Sequence, residues 1–217
     1  MTSAAQATSI SLRADLDEGL QELPVTLSAK QRDQLIAYVL LLDKWNRVYN
    51  LTAVREPGRM IGLHLLDSLA VLPHLGAGKS LLDVGTGGGL PGIPLAIAQP
   101  ALAVTMLDTI AKKTTFVRQA IAELGLGNAI AVTARVEEFK PVEKFDIVIS
   151  RAFAELKDFV DSAANLCADD GRLIAMKGVY PHDEIARVSA SVRVQEVVPL
   201  SVPQVDGKRH LVLLQKT

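Results

Sequence analysis

Residues 81–94 read Leu-Leu-Asp-Val-Gly-Thr-Gly-Gly-Gly-Leu-Pro-Gly-Ile-Pro: an apolar run of strand length, four glycines within five positions, then an apolar segment opened by proline. Glycine removes the side chain where the backbone must turn tightly or approach a ligand, and the N-terminus of the following helix supplies unpaired N–H groups. The stretch therefore predicts a strand, loop and helix of a parallel sheet, with the loop cradling a nucleotide-like cofactor.

Two cofactor classes fit this loop, and register separates them. Gly87, Gly89 and Gly92 satisfy the G-x-G-x-x-G dinucleotide pattern, but there the first glycine leaves the strand directly. Here that glycine is Gly85, and counting from it gives D-x-G-x-G-x-G over Asp83–Gly89. This resembles the first motif of Rossmann-like methyltransferases, in which Asp83 would face the methionine portion of S-adenosylmethionine, with Gly87 and Gly89 lining the loop. Asp108 ends the next apolar run 23 residues after Gly85, close to the roughly 20-residue spacing at which an acid meets ribose hydroxyls.

From residue 80 onward, short apolar runs alternate with amphipathic segments, the pattern of a parallel sheet with crossover helices. Strands are expected at 81–84, 103–107, 129–133, 145–149, 172–176, 192–199 and 210–215, and helices near 91–99, 110–124, 155–166 and 181–190. The last two strands are joined by a short polar turn and should pair antiparallel. An otherwise parallel sheet ending in an antiparallel hairpin resembles the seven-stranded, Rossmann-like α/β methyltransferase fold rather than a six-stranded dinucleotide domain. Before it, Leu12, Leu16, Leu20 and Leu23 repeat at helical spacing up to Pro24, a capping box at Ser28 and Gln31 opens a second helix, and residues 59–75 read as a third. The expected domains are a disordered tail at 1–9, a helical cap at 10–78 and the methyltransferase domain at 79–217.

Cys167 is the single cysteine, which fits a reducing compartment, and its predicted place late in a helix gives it no nucleophilic task. No apolar run approaches the ~18 residues of a membrane span, so a cytoplasmic, monomeric protein without membrane contact and without a metal is expected. The balance of 23 Lys+Arg and 24 Asp+Glu gives no global attraction to nucleic acid. The acids crowd the first 28 residues, however, where Asp15, Asp17, Glu18 and Glu22 face Arg13 alone, and the rest of the chain is mildly basic.

The motif that receives exocyclic amines, D/N-P-P-Y/F, does not follow the fourth predicted strand, where Ser150-Arg151-Ala152-Phe153 stand instead. Guanine N7 already has a free lone pair and needs no general base, so alignment and electrostatics would suffice. WNRVYNLTAVRE, HLLDSLAVLP, LDVGTGGGLPGIPLAI, RVEEF, ISRAFAEL, AMKG and DGKRHLV, in that order, resemble the bacterial 16S rRNA guanine-N7 methyltransferases, the GidB or RsmG family. One departure is Gly88, where relatives often have proline.

The resemblance implies methyl transfer from S-adenosylmethionine to N7 of guanine 527 in 16S rRNA within the small ribosomal subunit or its precursor. It implies cofactor contact by Gly85, Leu90, Asp108, the Val136-Glu137 pair and Arg151; no residue is assigned as a certain catalyst, although Arg151 has a positioning role. Asn46, Asn50, Arg55 and His64 of the cap would face the same cleft, and Lys112, Lys113, Arg118, Lys177, Lys208, Arg209 and His210 are candidates for RNA contact. Two other classes stay open on the residues themselves: a nicotinamide-dependent oxidoreductase, and a non-catalytic RNA-binding module that responds to S-adenosylmethionine.

Overall fold

The structure is a computed structural model that describes residues 3–217, with side chains from Gln6 onward. Its centre is a seven-stranded sheet of order β3-β2-β1-β4-β5-β7-β6. The strands are β1 (Ser80–Val84), β2 (Ala103–Asp108), β3 (Ala129–Thr133), β4 (Phe145–Ser150), β5 (Cys167–Lys177), β6 (Val192–Leu200) and β7 (Arg209–Lys216). β7 runs antiparallel to both β5 and β6, and the remaining pairings are parallel. The expected seven strands and final hairpin are thus present, and the sheet has the inserted antiparallel strand that a dinucleotide domain of order 3-2-1-4-5-6 lacks.

The helices are α1 (Ser3–Gln21), α2 (Ala29–Tyr49), α3 (Pro57–Met60), α4 (Asp67–Leu69), α5 (Gly92–Ala98), α6 (Ala111–Leu124), α7 (Leu156–Ala163) and α8 (His182–Ile185). Ser28 caps α2 as anticipated, its hydroxyl accepting from the Gln31 N–H while the Gln31 side chain accepts from the Ser28 N–H. Gly125 closes α6 in the left-handed region, where glycine costs nothing.

Four expectations need correction. The tail expected at 1–9 is helical from Ser3, residues 1–2 lying outside the described part; Ala4, Ala5 and Ala7 are strong helix formers continuous with the buried Leu12 and Leu16. The third cap helix is not uniform: Ile61–Leu66 forms a π-helix between α3 and α4. Cys167 opens β5 rather than ending a helix, because an irregularity between Phe145 and Ile147 lets the strand start five residues early. The helix expected at 181–190 spans only His182–Ile185, with Pro181 at its N-cap; only Ile185 and Val188 of that stretch reach the core, too little apolar surface to hold a longer helix.

Two apolar clusters cover the two faces of the sheet. On one, Leu16, Leu35, Leu42, Met60 and Leu66 of the cap share a continuous core with Leu81, Ile93, Met106 and Phe116. On the other, Leu156, Phe159 and Val160 of α7 pack on Leu82, Val148 and Leu173. The cap therefore does not form a separate core. It covers the sheet and brings its own polar residues to the carboxyl ends of the strands.

Candidate functional site

The site forms where β1 and β2 end. Gly85, Gly87 and Gly89 have φ of 73°, 59° and 94°, values that branched side chains avoid. Gly85 N–H and Thr86 N–H both donate to Leu107 O, at 2.8 and 3.0 Å, which ties the loop to β2. Gly92 lies under the loop: a Cβ there would come within 2.5 Å of Met106 Cγ and 2.9 Å of Asp83 Oδ2. Only a bare backbone permits this close approach of helix and strand.

Asp108 ends β2, 6 % exposed, and its two oxygens are already used in a defined way. Oδ2 accepts from Gly87 N–H at 2.9 Å and Oδ1 from Ile110 N–H at 2.9 Å, while Lys113 Nζ lies 3.6 Å from Oδ2. A carboxylate has about four lone-pair sites, so two remain for a ligand. It opens onto a cavity of about 250 Å³ lined by Val84, Gly85, Leu107, Asp108, Thr109, Ile110, Lys113, Ala134, Val136, Ala152 and Phe153. Apolar walls with one fixed acid suit a flat heterocycle joined to a sugar.

Asp83 is placed differently from its sequence reading. Fully buried, it braces the loop from beneath: Oδ2 accepts from Thr86 Oγ1 at 2.6 Å and Gly92 N–H at 2.9 Å, while Oδ1 has no partner. Burial pushes its carboxyl up to about 6 despite those two hydrogen bonds. Leu90 is also core rather than cavity wall, its N–H donating to Thr86 O. Glu137 is exposed and 3.6 Å from Arg135, outside the cavity that Val136 lines.

The cap meets the loop at Tyr38 and holds a buried histidine near Arg151. Tyr38 Oη donates to Gly88 O at 2.8 Å. His64 is 4 % exposed in the π-helix; burial holds its imidazole down at about 4, helped by the nearby Arg151 cation, and Nε2 lies 2.9 Å from Thr52 Oγ1. Arg151 follows β4 and reaches back to the cap, its Nη1 donating to Leu63 O and Asp67 Oδ2, both at 3.2 Å.

Other residues singled out in the sequence have local tasks. Asn46 is buried and spans the turn after α2, its Nδ2 donating to Val54 O and its Oδ1 accepting from Thr52 N–H. Asn50 ends α2 at φ 51° and accepts from Arg55 Nη2. Lys177 Nζ donates to Phe153 O, Ala154 O and Glu184 Oε2, and Arg118 lies along β3 against Ala131 O and Thr133 Oγ1. His210 is buried, with Nδ1 2.8 Å from Gly178 O. Lys112 and Lys208 are exposed, whereas Lys113 turns into the cavity.

Sequence reasoning missed Asp67, Tyr38 and Phe153. Asp67 left a signal, a lone acid inside the apolar HLLDSL run. Tyr38 and Phe153 left none, since an aromatic at helical or strand spacing reads as core.

The sequence profile of the GidB family, described as rRNA small subunit methyltransferase G, matches residues 31–212. A protein of Laribacter hongkongensis named ribosomal RNA small subunit methyltransferase G is 56 % identical over 205 residues, covering 94 % of this chain and 99 % of that protein. Its namesake from Chromobacterium violaceum is 54 % identical over 199 residues, 92 % of this chain and 95 % of that one. Among solved structures, an Aquifex aeolicus S-adenosylmethionine-dependent methyltransferase superposes with a TM-score of 0.61 at 19 % identity, covering 77 % of this chain and 97 % of that one, a likeness of fold.

Proposed function

Because the chain belongs to the GidB family of small-subunit rRNA methyltransferases, we propose that it transfers a methyl group from S-adenosylmethionine to N7 of guanine 527 in 16S rRNA. The observation that carries this reading is the family match over 31–212, borne on a chain whose glycine loop and Asp108 form one cavity. The residues present fit the methyl donor. The loop is bare backbone at Gly85 and Gly87, the walls are apolar, and the acid that would take a ribose diol is held by two backbone N–H groups.

When bound, the donor supplies an electrophilic methyl on a sulfonium sulfur. In this reading Asp108 grips the sugar, Gly85 and Val136 border the heterocycle with Glu137 at its rim, and Leu90 shapes the loop from the core side. Arg151, held by Leu63 O and Asp67 after β4, would help to position the acceptor. Guanine N7 attacks with its own lone pair, so the chain needs to align the two partners and exclude water rather than remove a proton. This agrees with the side chains at hand. His64 is kept neutral and in contact with Thr52, and Cys167 lies at the start of β5, the opposite end of the sheet from the cavity.

The substrate is read as rRNA in the small subunit or its precursor, with the protein acting as a cytoplasmic monomer; among the described residues no helix is long and apolar enough to cross a membrane. Incubating the protein with labelled S-adenosylmethionine and small subunits lacking the mark should place label on N7 of that guanine. Binding of RNA and donor with no transfer would support the binding-module alternative and overturn this reading. The sheet order and the family match leave the oxidoreductase alternative without support.

A further inference from the structure

β4 and β7 are not neighbours, since β5 lies between them, so groups at their ends stand about 10 Å apart by strand spacing alone. Arg151 follows β4 at the carboxyl edge of the sheet, and Arg209 begins β7 opposite Leu200, next to the His210–Lys177 pair at that same edge. Two guanidinium groups there would repel and drift apart. Asp67 of α4 bridges them: its Oδ1 accepts from Arg209 Nε at 3.0 Å and its Oδ2 from Arg151 Nη1 at 3.2 Å.

The carboxylate is 4 % exposed while both arginines are about a quarter exposed, so the acid is the buried anchor and the cations are the surface it presents. One carboxylate against two guanidiniums leaves a positive charge at this spot. The buried His64 near Arg151 is neutral and adds no charge. Arg151 uses Nη1 on Asp67 and Leu63 O, and Arg209 uses Nε on Asp67 and Nη1 on Lys208 O. Among the described residues, the Nε and Nη2 groups of Arg151 and Nη2 of Arg209 have no hydrogen-bond partner. Paired planar forks with unused N–H groups match the oxygens of a phosphodiester.

The cap is held in place to do this. A Cβ on Gly62 would lie 2.8 Å from Gln204 O, so the π-helical segment packs closely on the β6–β7 connection that leads into Arg209.

We infer that Asp67 is a positioning residue that composes Arg151 and Arg209 into a seat for one RNA phosphate beside the target guanine. The inference rests on the rRNA reading above and adds to it the ligand chemistry and the residue that builds the site.

The test uses the full chain and unmethylated small subunits, with initial rates over a salt series for wild type, Asp67→Asn, Arg209→Gln and the double variant, and S-adenosylmethionine affinity from calorimetry alongside. Arg209→Gln should raise KM for subunits on the order of tenfold, reduce the log–log salt slope by roughly one, and leave donor affinity within about twofold. Asp67→Asn should act in the same direction, and the double variant should lose less than the sum of the two single losses, since part of what Asp67 does passes through Arg209. Unchanged KM and salt slope in Arg209→Gln would overturn the seat. Additive losses in the double variant, or an Asp67→Asn defect confined to melting temperature, would overturn the positioning role, and Arg209→Gln tests the seat even if Asp67→Asn fails to fold. Anisotropy of a labelled small-subunit rRNA fragment with the same proteins reads the seat independently of methyl transfer. A wild type that binds the fragment salt-dependently without transferring methyl therefore counts against the catalytic reading and not against the seat.

Discussion

The Gly87 N–H donates to Asp108 Oδ2 over 2.9 Å, joining the loop after β1 to the end of β2 before any ligand arrives. The acid that would hold a sugar is thus the acid that fixes the shape of the loop. Pre-ordering of this kind lowers the entropic cost of binding.

Asp108→Ala should weaken S-adenosylmethionine by about 1–3 kcal/mol, the range for a lost charge-assisted hydrogen bond. It also frees the Gly87 and Ile110 N–H groups, so the loop should become more mobile. Calorimetric titration measures the first effect and amide exchange at Gly87 the second. Unchanged affinity would remove the sugar from this wall.

Gly87 and Gly92 should fail in different ways. A Cβ on Gly87 has only Gly85 O at 4.0 Å, so Gly87→Val points into open space beside the Asp108 carboxylate from a strained φ of 59°. It should fold with a modest loss of melting temperature and lose donor binding. Gly92→Ala drives a methyl into Met106 and Asp83, and its defect should appear first in thermal unfolding.

Asp83 and His64 make opposite contributions to stability in acid. The Asp83 carboxyl stands at about 6 in the folded chain against 3.8 for the free group, so its stabilising effect is full below about pH 4 and is lost as pH rises through about 6. The imidazole of His64 stands at about 4 against 6.5, so its contribution is present above about pH 6.5 and is lost as pH falls toward about 4. The two partly cancel in the wild type. In Asp83→Asn the first is removed, and the stability of the variant relative to wild type should rise between about pH 4 and 7, by on the order of 3 kcal/mol. Denaturant melts at matched pH values would show a flat difference if Asp83 were not buried as described.

Tyr38→Phe removes the hydroxyl that donates to Gly88 O and leaves that carbonyl buried without its partner. The expected cost is about 1–3 kcal/mol of stability, together with weaker donor binding, because the cap then no longer pins the loop. Equal donor affinity in Tyr38→Phe would show that the cap stabilises the loop without tuning it.

Cys167 should be inert toward iodoacetamide in the folded protein and react on unfolding, because burial pushes its thiol up to about 11. Rapid labelling under native conditions would place it elsewhere.

Local rules carried much of the architecture. Strand-length apolar runs, the Ser28 capping box and the Gly125 stop each depend on a few adjacent residues, and the structure has the corresponding elements. The glycine spacing from Gly85 and the distance to Asp108 were likewise readable, since both are counted along the chain. The early start of β5 and the short α8 were not, because each depends on what a neighbouring strand or core offers.

The sequence by itself determined the sheet, the glycine loop and the acid that ends β2, because periodicity and glycine geometry act over a few residues. Tertiary structure alone decided that Asp83 supports the loop from below, that Lys113 lines the cavity, and that Asp67 of the cap joins Arg151 to Arg209. Those pairings span up to 142 positions along the chain. Their partners are chosen by packing of the cap on the sheet, which places charges together that no local pattern relates.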